Sequence, residues 1–133
     1  MRRVFADSFY FFALLNKKDQ DHVNATDWTK SYTGQVITTE WVLIELADGL
    51  ASSKQRGIFA KTRQKLLSDA AYRVIPLDMR LYDEGLNLYT ARLDKEWSLT
   101  DCISFVAMQR ENITEALTGD RHFEQAGFTA LLK

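Results

Sequence analysis

The chain has 133 residues, of which 46% are apolar and 26% are charged, and its formal net charge is −1. This length and composition predict one soluble globular domain that spans residues 1–133 around a single core. The near-zero charge argues against a large basic face for sequence-independent nucleic-acid binding, and no apolar run reaches the roughly 20 residues that cross a bilayer.

The cysteine content bears on the compartment of the protein. Cys102 is the only cysteine, so no internal disulfide can form, and no secretory signal is recognisable before the first predicted strand. No cluster of cysteine and histidine has zinc-binding spacing. We therefore expect a cytoplasmic protein without a zinc site and without a membrane association.

Strand-like and helical patterns alternate along the chain. The apolar periodicity predicts five strands, over residues 3–6, 35–39, 73–77, 114–118 and 129–132. It predicts helices over about 9–16 and 19–32, a helix that carries Val42 to Leu50, a basic helix from Ser52 to about Leu67, and helices over about 81–92, 98–110 and 120–125. Thr38 or Thr39 is expected to cap the helix after the second strand, and Ser98 begins a capping box for the helix over 98–110. This alternation predicts an α/β fold with a parallel sheet and right-handed crossovers. We expect the first strand to be central, because apolar elements flank it, and the strand containing Pro76 to lie towards an edge.

Four carboxylates follow strands or open helices in this scheme. Asp7 ends the first strand, Asp120 ends the fourth, Asp101 lies in the first turn of its helix, and Glu45 borders the apolar stripe of the helix after the second strand. Ligands of open α/β sheets bind beyond the carboxyl ends of the strands, so we predict that the four side chains meet there. Taken alone, each of these carboxylates could be an ordinary turn, cap or helix-edge residue. These separate explanations do not account for the placement of all four at the same edge of the sheet.

Such a cluster restricts the chemistry that it can perform. Two like charges ~5 Å apart at an effective dielectric of about 20 repel by roughly 3 kcal/mol, so four carboxylates need a cation. Oxygen ligands without nitrogen or sulfur favour Mg²⁺ or Mn²⁺. A site of this kind suits the hydrolysis of a phosphodiester, in which metal activates water and neutralises developing charge.

One stretch concentrates positive charge without any acidic residue, and it contains Lys54, Arg56, Lys61, Arg63 and Lys65. It is either a solvated helix face or a ridge that contacts phosphates. The second interpretation gains weight from a phosphodiester site nearby.

Several other side chains have a structural and a functional interpretation. His122 could act as a general acid, but we expect a surface residue of the last short helix. Trp41, Trp97, Phe9 and Phe12 could stack on bases, but we expect them in the core or at a dimer surface.

The sequence resembles the PIN-domain nucleases, in particular the small toxin ribonucleases of the VapC type, over essentially its whole length. Four segments carry the resemblance: residues 4–9, Thr38-Thr39 with Val42 and Glu45-Leu46, residues 98–102, and residues 117–123. Each segment alone is weak, but their order and separations in a chain of this length are specific.

The resemblance implies a three-layer α/β/α fold with a five-stranded parallel sheet in the order 3-2-1-4-5. It implies a catalytic metal site for Mg²⁺ or Mn²⁺ made of Asp7, Glu45, Asp101 and Asp120. It also implies an RNA substrate, a homodimer, and silencing by a partner antitoxin whose tail occupies the active groove.

Roles for individual residues follow from the resemblance as hypotheses. Asp7, Asp101 and Asp120 would hold the metal directly or through water, and Glu45 would hold or orient the attacking water. Ser8 and Thr118 match small hydroxyl positions that support the site. Contacts to RNA phosphates away from the cut would come from Lys54, Arg56, Lys61 and Arg63.

Other functions remain possible at this point. A housekeeping RNA-processing nuclease of the same family would have the same site. A magnesium-binding signalling domain would need an acidic pair after the first strand and a lysine after a late strand, but residues 4–7 contain a single acid. A phosphatase with an Asp-x-Asp nucleophile does not fit either, because Asp7 is followed by Ser8 and Phe9. An interaction module without nuclease activity would keep the fold and bind no metal.

Overall fold

Five parallel strands form one sheet in the computed structural model, which describes residues 1–133. In chain order they are β1 (Arg3–Ala6), β2 (Gln35–Thr39), β3 (Tyr72–Ile75), β4 (Glu115–Leu117) and β5 (Thr129–Ala130). Across the sheet the order is β3-β2-β1-β4-β5, and every neighbouring pair is parallel. The predicted strand order, the central first strand and the third strand at an edge are therefore confirmed.

Seven helices cover the two faces of the sheet, which gives the expected three-layer α/β/α arrangement. They are α1 (Ser8–Leu15), α2 (His22–Ser31), α3 (Glu40–Gly49), α4 (Arg56–Ser68), α5 (Met79–Ala91), α6 (Leu99–Arg110) and α7 (Arg121–Gln125). None of them combines the length and the apolar character that a membrane-spanning helix needs.

The core is centred on β1, whose residues Val4, Phe5 and Ala6 have no exposed surface. Phe5 packs on Phe123 of α7 with ring centroids 6.5 Å apart, and Phe123 meets Phe105 of α6 edge to face at 4.9 Å. Burying a large apolar side chain stabilises the fold by roughly 1.5–3 kcal/mol. This aromatic packing fixes α6 and α7 relative to the carboxyl end of β1.

Several predicted boundaries were wrong by two to four residues, among them the start of α2 at His22 and the end of β5 at Ala130, and two others have a clear local reason. The basic helix begins at Arg56 rather than Ser52, because a turn in which the N–H of Gln55 donates to the carbonyl of Ser52 precedes it. The third strand stops at Ile75 rather than residue 77, because Pro76 has no N–H with which to continue a ladder.

Two predicted helix caps orient helices at the carboxyl edge of the sheet. Oγ1 of Thr39 accepts a hydrogen bond from the N–H of Val42 at 3.1 Å and caps α3. Oγ of Ser98 accepts from the N–H of Asp101 at 3.0 Å, and the Asp101 side chain accepts in return from the N–H of Ser98. The caps fix the residues at which α3 and α6 begin, and α3 follows β2 without an intervening loop.

Candidate active site

A cleft of about 420 Å³ lies at the carboxyl edge of the sheet and is lined by all four carboxylates that the sequence singled out. Asp7 follows β1, Glu45 projects from α3, Asp101 opens α6, and Asp120 lies in the turn between β4 and α7. Their convergence agrees with the expectation drawn from strand ends. No lysine or arginine lines the cleft.

Asp7 is directed into the protein by a threonine from the neighbouring strand end. It occupies the N-cap position of α1, but its side chain makes no capping hydrogen bond. Instead Oδ2 of Asp7 accepts from Oγ1 of Thr118 at 2.9 Å, and only 4% of Asp7 is exposed. The same Thr118 oxygen accepts from the N–H of Asp120 at 3.1 Å, so one buried hydroxyl links two of the carboxylates.

Asp101 and Asp120 do act as caps, yet both also face the cleft. Oδ2 of Asp101 accepts from the N–H of Ser98 at 3.3 Å within the capping box of α6. Oδ1 of Asp120 accepts from the N–H of His122 at 2.9 Å and caps α7. The capping explanation considered for these two residues is therefore correct but incomplete, because in each case it uses a single carboxylate oxygen.

Glu45 is held by the residue that follows Asp7. Oγ of Ser8 donates a hydrogen bond to Oε1 of Glu45, which ties the start of α1 to the middle of α3. Ser8 and Thr118, the small hydroxyl residues expected beside the site, thus each contact one of the four carboxylates.

Three of the carboxylates keep one oxygen free of protein hydrogen bonds. These atoms are Oε2 of Glu45, Oδ1 of Asp101 and Oδ2 of Asp120, while the other oxygen of each residue is held by a protein donor. Ligand atoms of Asp101, Asp120 and His122 also lie within 4.8 Å of one another. Fixed carboxylates with free oxygens are the donor set that Mg²⁺ or Mn²⁺ prefers, so the residues present fit a divalent cation.

Burial and mutual repulsion both disfavour the ionised forms of the carboxylates in the cleft. Burial, reinforced by the charge of Asp101, raises the pKa of Asp7 to about 7. Burial likewise raises the pKa of Glu45, with the charges of Asp101 and Asp120 adding to it, and raises the pKa of Asp101. Without a cation, these carboxylates destabilise one another's ionised forms.

His122 belongs to this cleft, and the expectation of a simple surface position was wrong. Its Nδ1 lies 3.0 Å from Oδ2 of Asp101 and 3.6 Å from Oδ1 of Asp120. Because an ionised carboxylate can only accept a hydrogen bond, Nδ1 carries the hydrogen. Asp120 caps α7 through the N–H of His122, and the His122 side chain is directed towards Asp101 of α6. The position of His122 two residues after Asp120 was the only sign of this contact in the sequence.

Three further residues of the cleft were missed by the sequence analysis. Phe9 and Phe12 pack against the core, as expected, but they are partly exposed and also form the apolar side of the cleft. Glu96, an exposed residue before α6, adds a carboxylate at its rim. Trp97, next to Glu96, is buried as expected and donates from Nε1 to Gln125 at 3.0 Å.

The basic stretch does not present all its charges freely. Lys54, Arg56 and Lys61 are exposed. Arg63 instead forms a two-pronged pair with Glu40 at the first position of α3, with Nε 3.1 Å from Oε1. The sequence did not predict this ion pair, because Glu40 lies 23 residues before Arg63 and outside the basic stretch.

Comparisons with known proteins give a consistent assignment of family and fold. The family model described as the PIN domain matches residues 4–129. The crystal structure of Mycobacterium tuberculosis VapC20, described as a sarcin-ricin loop cleaving toxin, is 25% identical, with a TM-score of 0.86 over 95% of this chain and 96% of that chain. No curated protein sequence matches the chain significantly.

Two more solved structures share the fold at lower identity. FitAcB from Neisseria gonorrhoeae is 16% identical, with a TM-score of 0.67 over 96% of this chain and 95% of that chain. VapBC2 from Rickettsia felis, bound to a DNA fragment from its promoter, is 15% identical, with a TM-score of 0.68 over 97% and 96%.

Proposed function

The chain belongs to the PIN-domain family, and from this premise we propose that it is a divalent-metal-dependent endoribonuclease that hydrolyses phosphodiester bonds in RNA. We propose further that it is the toxin of a toxin–antitoxin pair. A housekeeping role in RNA processing would use the same chemistry and differs only in its biological consequence.

One observation carries the proposal of a metal-dependent hydrolase. Four carboxylates from β1, α3, α6 and the turn before α7 line one cleft that contains no lysine or arginine. Burial raises the pKa of Asp7 to about 7, and the charge of Asp101 adds to this effect. An interaction module that binds no metal has no need for four carboxylates in one cleft. A hydrolase that uses a divalent cation does need them.

We assign each carboxylate a role that is consistent with the hydrogen bonds that hold it. Asp7, Asp101 and Asp120 would hold Mg²⁺ or Mn²⁺ directly or through water. A divalent ion at this position supplies activation of the attacking water and neutralises charge on the phosphate. Glu45, fixed through Oε1 by Ser8, has Oε2 available to orient that water.

The residues behind the carboxylates position them for this task. Thr118 holds Asp7 and the backbone of Asp120, while His122 and the N–H of Ser98 share Oδ2 of Asp101. Such supporting contacts typically change metal affinity or activity by 10- to 100-fold when removed, an order-of-magnitude expectation for this site too.

RNA would be held away from the cut by the exposed cations of the basic stretch. We propose phosphate contacts for Lys54, Arg56 and Lys61, which are exposed. Arg63, proposed for the same role, must exchange its pairing with Glu40 for a phosphate and is expected to contribute less.

The partners proposed for the chain are an antitoxin and a second copy of itself in the cytoplasm. VapC20 is described as a toxin, and VapBC2 is a structure that shares the fold. Leu77 and Met79 are 60% and 70% exposed beside Trp41, and this apolar patch could serve a homodimer. Size-exclusion chromatography with light scattering tests the dimer, and arrest of growth on expression tests the toxin role.

RNA cleavage in Mn²⁺ tests the enzymatic proposal. We expect the wild-type protein to cut members of a panel of RNAs, EDTA to stop the reaction, and Asp7→Asn and Asp101→Asn to abolish it. Asp83→Asn, an exposed carboxyl group of α5 outside the cleft, is the matched control and should retain activity. Intact RNA with the wild-type protein, or cleavage that survives both active-site substitutions, would refute the proposal.

A further inference from the structure

Two phenylalanines form the only apolar side of a cleft whose other lining residues are polar. Phe9 and Phe12 lie one turn apart on the same face of α1, directly after Asp7 and Ser8, and both are partly exposed. Each ring packs against the core on one side, and its exposed part lies beside several carboxylates that do not cover it. The exposed rings indicate that the ligand of this cleft has an apolar surface as well as a charged one.

Both rings are held in place by close packing against glycines. A Cβ atom at Gly119 would lie 2.6 Å from the ring of Phe9, and one at Gly49 would lie 2.3 Å from the ring of Phe12. Any larger residue would displace the ring, so these glycines permit the contact.

The two glycines connect the rings to segments that carry carboxylates. Gly119 immediately precedes Asp120, and Gly49 ends α3 one turn beyond Glu45. Each ring therefore packs against the backbone of a segment that contributes a carboxylate. The apolar side of the cleft is fixed relative to the acidic side before any ligand arrives.

We propose that Phe9 and Phe12 form a stacking surface for one unpaired base of the RNA, adjacent to the phosphate that is cut. The inference rests on the proposed ribonuclease function and deepens it by naming the side chains that contact a base beside the cut. A base inside a duplex has both faces covered by its neighbours, whereas a base in a single strand or loop can stack on an aromatic side chain. A base that stacks on these rings must therefore be unpaired while its neighbouring phosphate is cut.

Single-turnover cleavage of a short single-stranded RNA, measured over a range of enzyme concentrations, tests the stacking surface. Phe9→Leu and Phe12→Leu keep apolar volume but remove the ring, and we expect each to raise the half-saturating enzyme concentration by about 5- to 150-fold. Phe128→Leu is the control, since Phe128 is also partly exposed but packs on Phe105 outside the cleft. Thermal melting in EDTA identifies any variant that has lost its fold, and only folded variants are compared.

Abasic substitutions distinguish base stacking from a general packing effect. With wild-type protein, an abasic nucleotide at one position next to the cut should weaken binding as much as the loss of a ring does. In Phe12→Leu or Phe9→Leu the same abasic nucleotide should have little further effect, because the partner of that base is already gone. Equal losses in wild-type and variant proteins would overturn the proposal, as would unchanged cleavage by both leucine variants.

A separate measurement distinguishes failure of the ribonuclease proposal from failure of the stacking proposal. If the wild-type protein cuts no RNA, binding of the same uncut RNA is measured directly by fluorescence anisotropy in Mn²⁺. Weaker binding by the leucine variants would support the stacking surface independently of cleavage. Equal binding by the wild-type, Phe9→Leu and Phe12→Leu proteins would reject it and leave these rings to another occupant, such as an apolar segment of a partner protein.

Discussion

Oγ1 of Thr118 donates to Oδ2 of Asp7 across 2.9 Å, although the two residues are 111 positions apart in the chain. Both are buried, and the same hydroxyl oxygen also accepts from the N–H of Asp120. The hydroxyl lowers the pKa of Asp7 against the larger effect of burial, which raises it. Thr118 therefore couples the end of β1 to the turn before α7.

Thr118→Val tests this coupling, because it keeps the shape of the side chain and removes the hydroxyl. We expect Mn²⁺ affinity to fall by about 10- to 100-fold, since Asp7 loses its donor and the N–H of Asp120 loses its acceptor. Isothermal titration with Mn²⁺ measures the change, and Thr118→Ser should retain most of the affinity. Equal affinities of the valine and wild-type proteins would show that the hydroxyl has no positioning role.

His122→Ala removes one of the two donors to Oδ2 of Asp101 and is expected to weaken Mn²⁺ binding by about 10-fold or more. The melting temperature in EDTA should change little, because His122 is partly exposed. His122→Asn, which can offer an N–H at a similar position, should recover part of the affinity. The other histidine supplies the control: His22 contacts the carbonyl of Ala13, and His22→Asn should bind Mn²⁺ as the wild type does.

The raised pKa of Asp7 predicts how stability depends on pH. The folded protein holds a proton on Asp7 up to about pH 7, whereas the unfolded chain releases it near pH 4. Between these values the folded state binds more protons, so the stability of the metal-free protein falls as pH rises, by up to about 1.4 kcal/mol per pH unit. Added Mn²⁺ should stabilise most at the upper end of this range, because it binds the deprotonated carboxylates.

Thermal melts in EDTA and in Mn²⁺ between pH 5 and 8 measure both trends. Asp7→Asn, which cannot ionise, should flatten the dependence in EDTA. A wild-type protein that becomes more stable with rising pH in EDTA, with Asp7→Asn following the same slope, would contradict the assignment.

Charge reversal tests the basic stretch. Lys61→Glu and Arg56→Glu are each expected to weaken RNA binding and to reduce the slope of log affinity against log salt by about 0.7 or more, the value for one phosphate contact on a single strand. Anisotropy at several salt concentrations gives the slope. Lys30→Glu, at an exposed lysine in the last turn of α2, outside the basic stretch, is the matched reversal and should leave the slope unchanged. Equal slopes for all variants would return the stretch to a solvated helix face.

Strand positions and the locations of the four carboxylates could be predicted because both depend on local pattern. A carboxylate that directly follows a short apolar strand, such as Asp7, lies at the carboxyl end of the sheet, and this holds for any packing of the helices. The strand order itself came from the resemblance to a family and not from periodicity. The roles of the carboxylates as metal ligands stay a prediction.

The remaining features of the site depend on relations that a linear pattern does not contain. His122 reaches Asp101 because Asp120 caps α7 and aromatic packing sets α7 against α6. Phe9 and Phe12 pack against the core, as their apolar character predicts, and their partial exposure in the cleft depends on the tertiary arrangement around Gly119 and Gly49. A histidine two residues after a predicted carboxylate was the one available signal, and it is too common to be specific.

Anomalous diffraction from crystals of the Mn²⁺-bound protein shows whether the carboxylates of the cleft hold a cation. We expect a manganese peak inside the cleft, in contact with free carboxylate oxygens that include Oδ1 of Asp101 or Oδ2 of Asp120, at distances of about 2.0–2.2 Å. Peaks confined to other parts of the surface, or an empty cleft at saturating Mn²⁺, would contradict the proposed metal site.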